Sequence, residues 1–128
     1  MEDQLKPRKD VLTDQELEIM KIVWDLDQAT VRDVYEKLLE HRKIAYTTVM
    51  TLMKILETKG HLKKSSVERA YIYQPTKPKQ QVIGGMVREF VNRVFNGSAE
   101  PLLLHLVEDE KLTEKELADL VRLARKKS

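Results

Sequence analysis

The hydrophobic pattern of this chain changes its period at Gly60, and that change limits the folds that the chain can adopt. From residue 12 to residue 60, apolar side chains recur every three or four positions, as on one face of an α-helix. After Gly60, the stretch HLKKSSVERAYIYQP has apolar residues on both sides of a polar run. This pattern predicts two short strands joined by a turn near Val67 to Arg69, with Pro75 ending the second strand. We therefore expect three helices followed by a β-hairpin.

Short local signals mark where the helices begin and end. Thr13 and Glu16 are spaced as a capping box at the start of the first helix, and Thr30 is placed to cap the second. Gly60 is placed to end the third helix at the position after its C-cap. The expected apolar faces of the first two helices comprise Leu17, Met20, Val23 and Trp24 in one, and Val31, Val34, Leu38 and Leu39 in the other.

The third helix, predicted within AYTTVMTLMKILETKG at residues 45–60, has two faces of different character. Its apolar stripe comprises Val49, Leu52, Met53 and Leu56, and its polar stripe comprises Thr47, Thr51, Lys54 and Thr58. Threonine can offer a hydroxyl to a base edge or phosphate and a methyl group to thymine, and lysine adds positive charge. The polar stripe therefore suits a DNA major groove. The alternative is an ordinary surface helix whose polar side faces water.

The charge of the chain is unevenly distributed, although its formal net charge is only +2. Residues 12–40 carry three basic and eight acidic side chains, whereas residues 41–79 carry nine basic and two acidic ones. A polyanion would be attracted to the second region, with an affinity that falls as salt concentration rises. A solvated basic face without a partner is the alternative. Together with the predicted hairpin, this charge favours a winged helix-turn-helix domain.

The C-terminal part of the chain, from Lys79, is again helical in pattern and unusually apolar. Gly97 interrupts the first helix, and Thr113 and Glu116 repeat the capping-box signal before the last one. These helices carry more apolar surface than they can bury among themselves, so a second copy of the chain is the expected cover. Packing against the winged helix of the same chain is the alternative. The residues expected at the dimer interface are Ile83, Met86, Val87, Phe90, Val91, Val94, Leu103, Leu106, Leu117 and Leu120.

Several function classes are disfavoured by the composition. The chain has no cysteine, and His41, His61 and His105 are too widely spaced for a common metal motif. We therefore expect no cofactor, no metal and no enzymatic activity. The charged stretch MEDQLKPRKD has no apolar core, and no apolar run approaches membrane-spanning length, so a cytoplasmic location without membrane insertion is expected.

The ordered segments LTDQELEIMKIVW, TVRDVYEKL, AYTTVMTLMKILETKG and RAYIYQP, followed by NGS and ELADL, resemble the BlaI/MecI family of bacterial transcriptional repressors, also called penicillinase repressors. The resemblance covers Leu12 to about Arg125. It implies a homodimer that binds dyad-symmetric, double-stranded operator DNA. The implied fold is mainly α with a small β-hairpin: a tail over residues 1–11, a winged-helix domain over 12–77 and a helical dimerisation domain over 78–128.

The resemblance also places the DNA-binding residues, because the family's recognition helix matches Tyr46 to Thr58. For Tyr46, a phosphate contact and packing on the second helix are equally open. Family wings often carry glycine near the turn, whereas this chain has Glu68 and Arg69 there. The expected DNA-binding residues are Arg42, Lys43, Tyr46, Thr47, Thr48, Thr51, Lys54, Lys63, Lys64 and Arg69.

The resemblance implies two alternative modes of release from DNA, and the sequence bears on both. Copper-responsive relatives use a C-terminal cysteine cluster, which this chain lacks. The β-lactam-responsive members are cleaved at an Asn-Phe bond after a leucine-rich run, in response to a membrane sensor protease that acts indirectly. The corresponding pair here is His105 and Leu106, and neither residue matches. Genes of β-lactam resistance or a related stress are the expected targets.

Two other functions remain open from the residues alone. A winged-helix module that binds another protein would bind tightly without a steep dependence on salt. An RNA-binding protein would need aromatic side chains presented to unstacked bases. The chain has only two Phe, one Trp and four Tyr, and most of them are expected in the core or the hairpin.

Overall fold

The computed structural model describes residues 11–127 and confirms the expected fold class, helices with one antiparallel β-hairpin. Apart from Val11, the tail predicted over residues 1–11 lies outside the described residues. The elements are α1 (Asp14–Leu26), α2 (Val31–Leu39), α3 (Tyr46–Thr58), β1 (Leu62–Val67), β2 (Ala70–Pro75), α4 (Lys79–Phe95), α5 (Glu100–Asp109) and α6 (Glu114–Lys127). They form two compact units, which meet in the sequence between Val82 and Ile83.

The helix boundaries follow the local signals in the sequence. Thr13 and Glu16 form the predicted capping box, with the Thr13 backbone N–H donating to the Glu16 carboxylate at 2.8 Å. Gly60 has φ = 88°, and the N–H groups of Gly60 and His61 donate to the carbonyls of Glu57 and Leu56. This arrangement is a Schellman motif, which ends α3 where the sequence predicts.

The first unit has a core at the junction of its three helices. The core side chains that are no more than 1% exposed are Ile19, Met20 and Val23 of α1, Val34 and Leu38 of α2, and Val49, Met53 and Leu56 of α3. Ile19 is absent from the apolar face predicted for α1. Leu17 and Trp24, which the prediction includes, are only half-buried. The indole N–H of Trp24 donates to the carbonyl of Lys77 at 3.1 Å.

The β-hairpin is attached to this core along β2. Tyr73 is buried and exchanges two backbone hydrogen bonds with Ala29, at 2.8 and 2.9 Å, in the segment between α1 and α2. At the far end of the hairpin, Val67 pairs with Ala70 across a two-residue turn. The turn residues Glu68 and Arg69 have φ = 49° and 72°. Two positive φ values match a type I′ turn, which normally uses Asn and Gly.

The second unit is a set of helices with little internal core. Among its described side chains, Val91 is the only buried one, at 9% exposure. Asn96 and Gly97, with φ = 53° and 87°, separate α4 from α5. The predicted capping box of Thr113 and Glu116 is present at the start of α6. In the described part of the chain, no helix is both long enough and apolar enough to span a membrane.

Candidate nucleic-acid interface

The exposed face of α3 is formed by side chains spaced at three and four residues. Thr47, Thr51 and Lys54 are exposed, as the sequence predicts, and Met50 lies among them with 48% of its surface exposed. On the opposite side, Val49 and Met53 are fully buried. The buried side chains therefore anchor α3 to the core, and its outer face presents methyl groups and the positive charge of Lys54.

Two threonines of this helix use their hydroxyl groups within the helix itself. The Thr51 hydroxyl donates to the Thr47 carbonyl at 2.9 Å, and the Thr58 hydroxyl donates to the Lys54 carbonyl at 3.1 Å. In this arrangement Thr51 offers outward its methyl group and oxygen lone pairs rather than a hydrogen-bond donor. Thr48 is also exposed, one position to the side of this face.

Tyr46, at the start of α3, packs on the second helix. Its ring meets the ring of Tyr35 edge to face, with 5.3 Å between centroids, and the Arg32 guanidinium lies 5.8 Å from its centroid. The sequence leaves two roles open for Tyr46, a phosphate contact and packing on the second helix, and the structure shows the packing. Tyr46 is nevertheless 38% exposed.

The loop between α2 and α3 supplies two of the predicted phosphate-binding cations. Arg42 pairs with Glu18 of α1 at 2.7 Å, and the hydrogen bond that its guanidinium donates to this carboxylate raises the pKa of the guanidinium. Lys43 is exposed. Arg42 must therefore share its guanidinium between Glu18 and any phosphate that it contacts.

The hairpin contributes three further predicted cations. Lys64 lies between α3 and β2: its ammonium group is 3.7 Å from the Glu57 carboxylate and 4.5 Å from the centroid of the Tyr71 ring. Lys63 is exposed on β1, and Arg69 is exposed at the turn. Glu57 is the only acidic residue of α3, so Lys64 neutralises the one negative charge next to its exposed face.

Two exposed residues of this surface are missing from the predicted set. Met50 shares the face of Thr47 and Lys54, and its i+3 and i+4 spacing could have indicated this position. A prediction restricted to polar side chains omits it. Tyr71 is 57% exposed on β2 beside Lys64, and no local signal in the sequence separates it from the buried Tyr73.

The second unit exposes most of the apolar side chains predicted for a dimer interface. Val87, Val94, Leu103 and Leu120 are about half-exposed, at 48–53%. Phe90 and Leu106 are exposed to 39% and 38%, and Ile83, Met86 and Leu117 are half-buried. Val91 is already buried within its own chain and offers little surface to a partner.

The pair corresponding to the cleavage site of β-lactam-responsive repressors lies inside α5. His105 is exposed, 3.5 Å from the Asp109 carboxylate, and its ring centroid lies 6.2 Å from that of Phe95. A protease that binds its substrate as an extended strand would have to unwind α5 to reach this bond. Within residues 11–127, no group of three His, Asp or Glu side chains is placed to hold a metal ion.

Comparisons with known proteins agree with this geometry. The family model described as "Penicillinase repressor" matches residues 12–126. The penicillinase repressor of Bacillus licheniformis is 26% identical over 112 residues, which cover 88% of each chain. The transcriptional regulator BlaI of Mycobacterium tuberculosis is 34% identical over 99 residues, covering 76% of this chain and 72% of that one.

A solved structure supports the fold of the first unit. The solution structure of the DNA-binding domain of the repressor BlaI superposes with a TM-score of 0.51 at 24% sequence identity, covering 58% of this chain and 90% of that one. The likeness identifies the fold as the winged helix of that domain. Members of the matched family are DNA-binding transcriptional repressors rather than enzymes. The family model spans nearly the whole chain, and this chain therefore belongs to the penicillinase repressor family, which includes BlaI and MecI.

Proposed function

We propose that this protein represses transcription as a homodimer that binds a dyad-symmetric DNA operator. In each protomer, α3 enters the major groove and the β-hairpin contacts the neighbouring backbone. The observation that carries this proposal is the exposed face of α3, which has Thr47, Thr51 and Lys54 outward and no unpaired carboxylate among its described residues. A helix of this kind can approach a polyanion without repulsion.

Cations around α3 support the same orientation. Lys43 lies just before the helix, and Lys63 and Arg69 lie on the hairpin that follows it. Phosphate contacts from both sides would fix the position of α3 in the groove, while its own side chains would read the bases. Arg42, Tyr46, Thr48 and Lys64 complete the proposed contact set.

Dimerisation is proposed from the exposed apolar side chains of the second unit. Phe90, Val94 and Leu103 are each more than a third exposed, and clusters of this kind mark association surfaces on soluble proteins. Two winged-helix domains held in one dimer also bind an inverted repeat far more tightly than either domain alone. A β-lactamase or related resistance gene is the proposed target, with a membrane sensor protease acting upstream.

A binding selection from random sequences tests the proposal and identifies the operator in the same experiment. The full chain is incubated with random duplex DNA, the bound fraction is amplified, and the enriched sequence is mapped by footprinting. We expect an inverted repeat with half-sites about one helical turn apart, and an affinity that falls linearly on a log–log plot against salt. No enriched sequence, or tight binding of a protein partner without salt dependence, would favour the interaction-module alternative.

A further inference from the structure

We propose that Met50, with the methyl groups of Thr47 and Thr51, selects operator half-sites by the 5-methyl groups of thymine. The inference rests on the proposed function, since it concerns what α3 reads once it lies in the groove. Met50 is the most exposed apolar side chain of α3, and packing against the core does not explain why an apolar residue lies at this position. Val49, Met53 and Leu56 already fill the core side of the helix at 0% exposure.

The hydrogen-bonding state of Thr51 strengthens this assignment. Its hydroxyl proton is directed to the Thr47 carbonyl at 2.9 Å, so the centre of the face presents methyl groups and the Met50 thioether in place of donors. In the major groove, guanine presents two acceptors, adenine presents one acceptor and an amino donor, and cytosine presents an amino donor. Thymine alone presents a methyl group, and an apolar strip therefore favours it over the other bases.

The charges around the strip favour DNA over an apolar protein partner. Lys54 lies one turn beyond Met50 on the same face, and the single carboxylate of α3, Glu57, is paired with Lys64. An apolar strip bordered by cations matches the thymine edge of a groove between two phosphate backbones.

Replacement of thymine by uracil in the selected operator removes only the methyl group. For the contacted thymine we expect a loss of affinity of about fourfold in one half-site and roughly fifteenfold in both, from the free energy of burying a methyl group. The Met50→Ala variant should bind the unmodified operator more weakly, and the same uracil replacement should then have little further effect. Leu26→Ala is the control, because Leu26 is 38% exposed but lies beside Asp33, Glu36 and Glu40.

The outcomes separate the inference from the function on which it rests. A selected operator whose affinity is unchanged by uracil at every thymine would overturn the role of Met50 and leave the repressor function standing. Equal uracil sensitivity in the wild-type and Met50→Ala proteins would also overturn it. Failure to select any operator would overturn both the role of Met50 and the proposed repressor function.

Discussion

Glu16 and Lys59 form an ion pair of 2.7 Å that joins the first turn of α1 to the end of α3, with side chains only 3% and 21% exposed. The same Glu16 oxygen accepts the backbone N–H of Thr13, and the Lys59 ammonium also donates to the carbonyl of Val11 at 3.0 Å. Because Lys59 is the C-cap of α3, this pair helps to fix the helix proposed to read DNA.

The Glu16 pair predicts a loss of stability in acid. Burial raises the pKa of Glu16, but the hydrogen bonds from Lys59 and Thr13 outweigh it and hold the pKa below the ordinary value of 4.5. Because the pKa of Glu16 is lower in the folded than in the unfolded chain, its ionised carboxylate stabilises the fold above pH 4.5. This contribution disappears as the pH falls through the pKa of Glu16 in the folded chain. Glu16→Gln should lower the free energy of unfolding at pH 7 by about 2 kcal/mol, the value of a hydrogen bond to a charged group, and flatten its decline in acid. Urea unfolding at several pH values measures both effects.

The matched control for this experiment is Glu18→Gln on the same helix. Glu18 pairs with Arg42, but both side chains are more than a third exposed, so the change should be at most about 0.5 kcal/mol. Equal effects of the two substitutions would contradict the structural role of Glu16.

At the hairpin turn, we expect Arg69→Gly to stabilise the fold and to weaken DNA binding. Arg69 has φ = 72°, a conformation that glycine adopts without steric cost, so Arg69→Gly should raise the free energy of unfolding by about 1 kcal/mol. The same change removes one proposed phosphate contact from each protomer and should reduce the slope of log affinity against log salt by about two for the bound dimer. Thermal unfolding and a salt titration measure the two effects. Arg69→Lys, which keeps the charge, should leave the slope unchanged; an unchanged slope in Arg69→Gly would remove Arg69 from the interface.

The contact between Lys64 and Glu57 predicts that a second substitution can restore operator binding lost by the first. Lys64→Ala leaves the Glu57 carboxylate unpaired next to the proposed DNA-facing surface, and we expect operator binding to weaken by about 1 kcal/mol. Adding Glu57→Gln should restore part of this loss, because the repulsion between carboxylate and phosphate disappears. Fluorescence anisotropy with labelled operator measures all three proteins. No recovery in the double variant would mean that Lys64 acts only through its own charge.

Phe90 offers the sharpest test of association. It is 39% exposed and meets Phe95 edge to face at 5.9 Å, so its ring is held at the surface of α4. Phe90→Asp should shift the protein from dimer to monomer in sedimentation and weaken operator binding, since two linked half-sites reinforce each other. Arg93→Asp is the control, an exposed position on the same helix that is already polar. An intact Phe90→Asp dimer would move the interface elsewhere.

Local patterns predict much of this fold, and long-range contacts explain what they miss. The capping boxes and the glycine at the end of α3 depend on neighbours in the sequence, and all are present in the structure. The pairing of Glu16 with Lys59 joins residues 43 positions apart, which no spacing rule indicates. At the hairpin turn, nothing in Glu68 and Arg69 as residue types predicts positive φ values. Met50 lies outside the predicted set because polar character alone defines the recognition face in that prediction.

The central claim, that the exposed face of α3 reads DNA sequence, is tested most directly by comparing operator and random duplex in one titration. Thr51→Ala and Lys54→Ala should each weaken operator binding by about 1 to 3 kcal/mol, because each removes a side chain proposed to read a base. Thr51→Ala should leave binding to random duplex unchanged, because it removes no charge. Unchanged operator affinity in both variants would contradict the account.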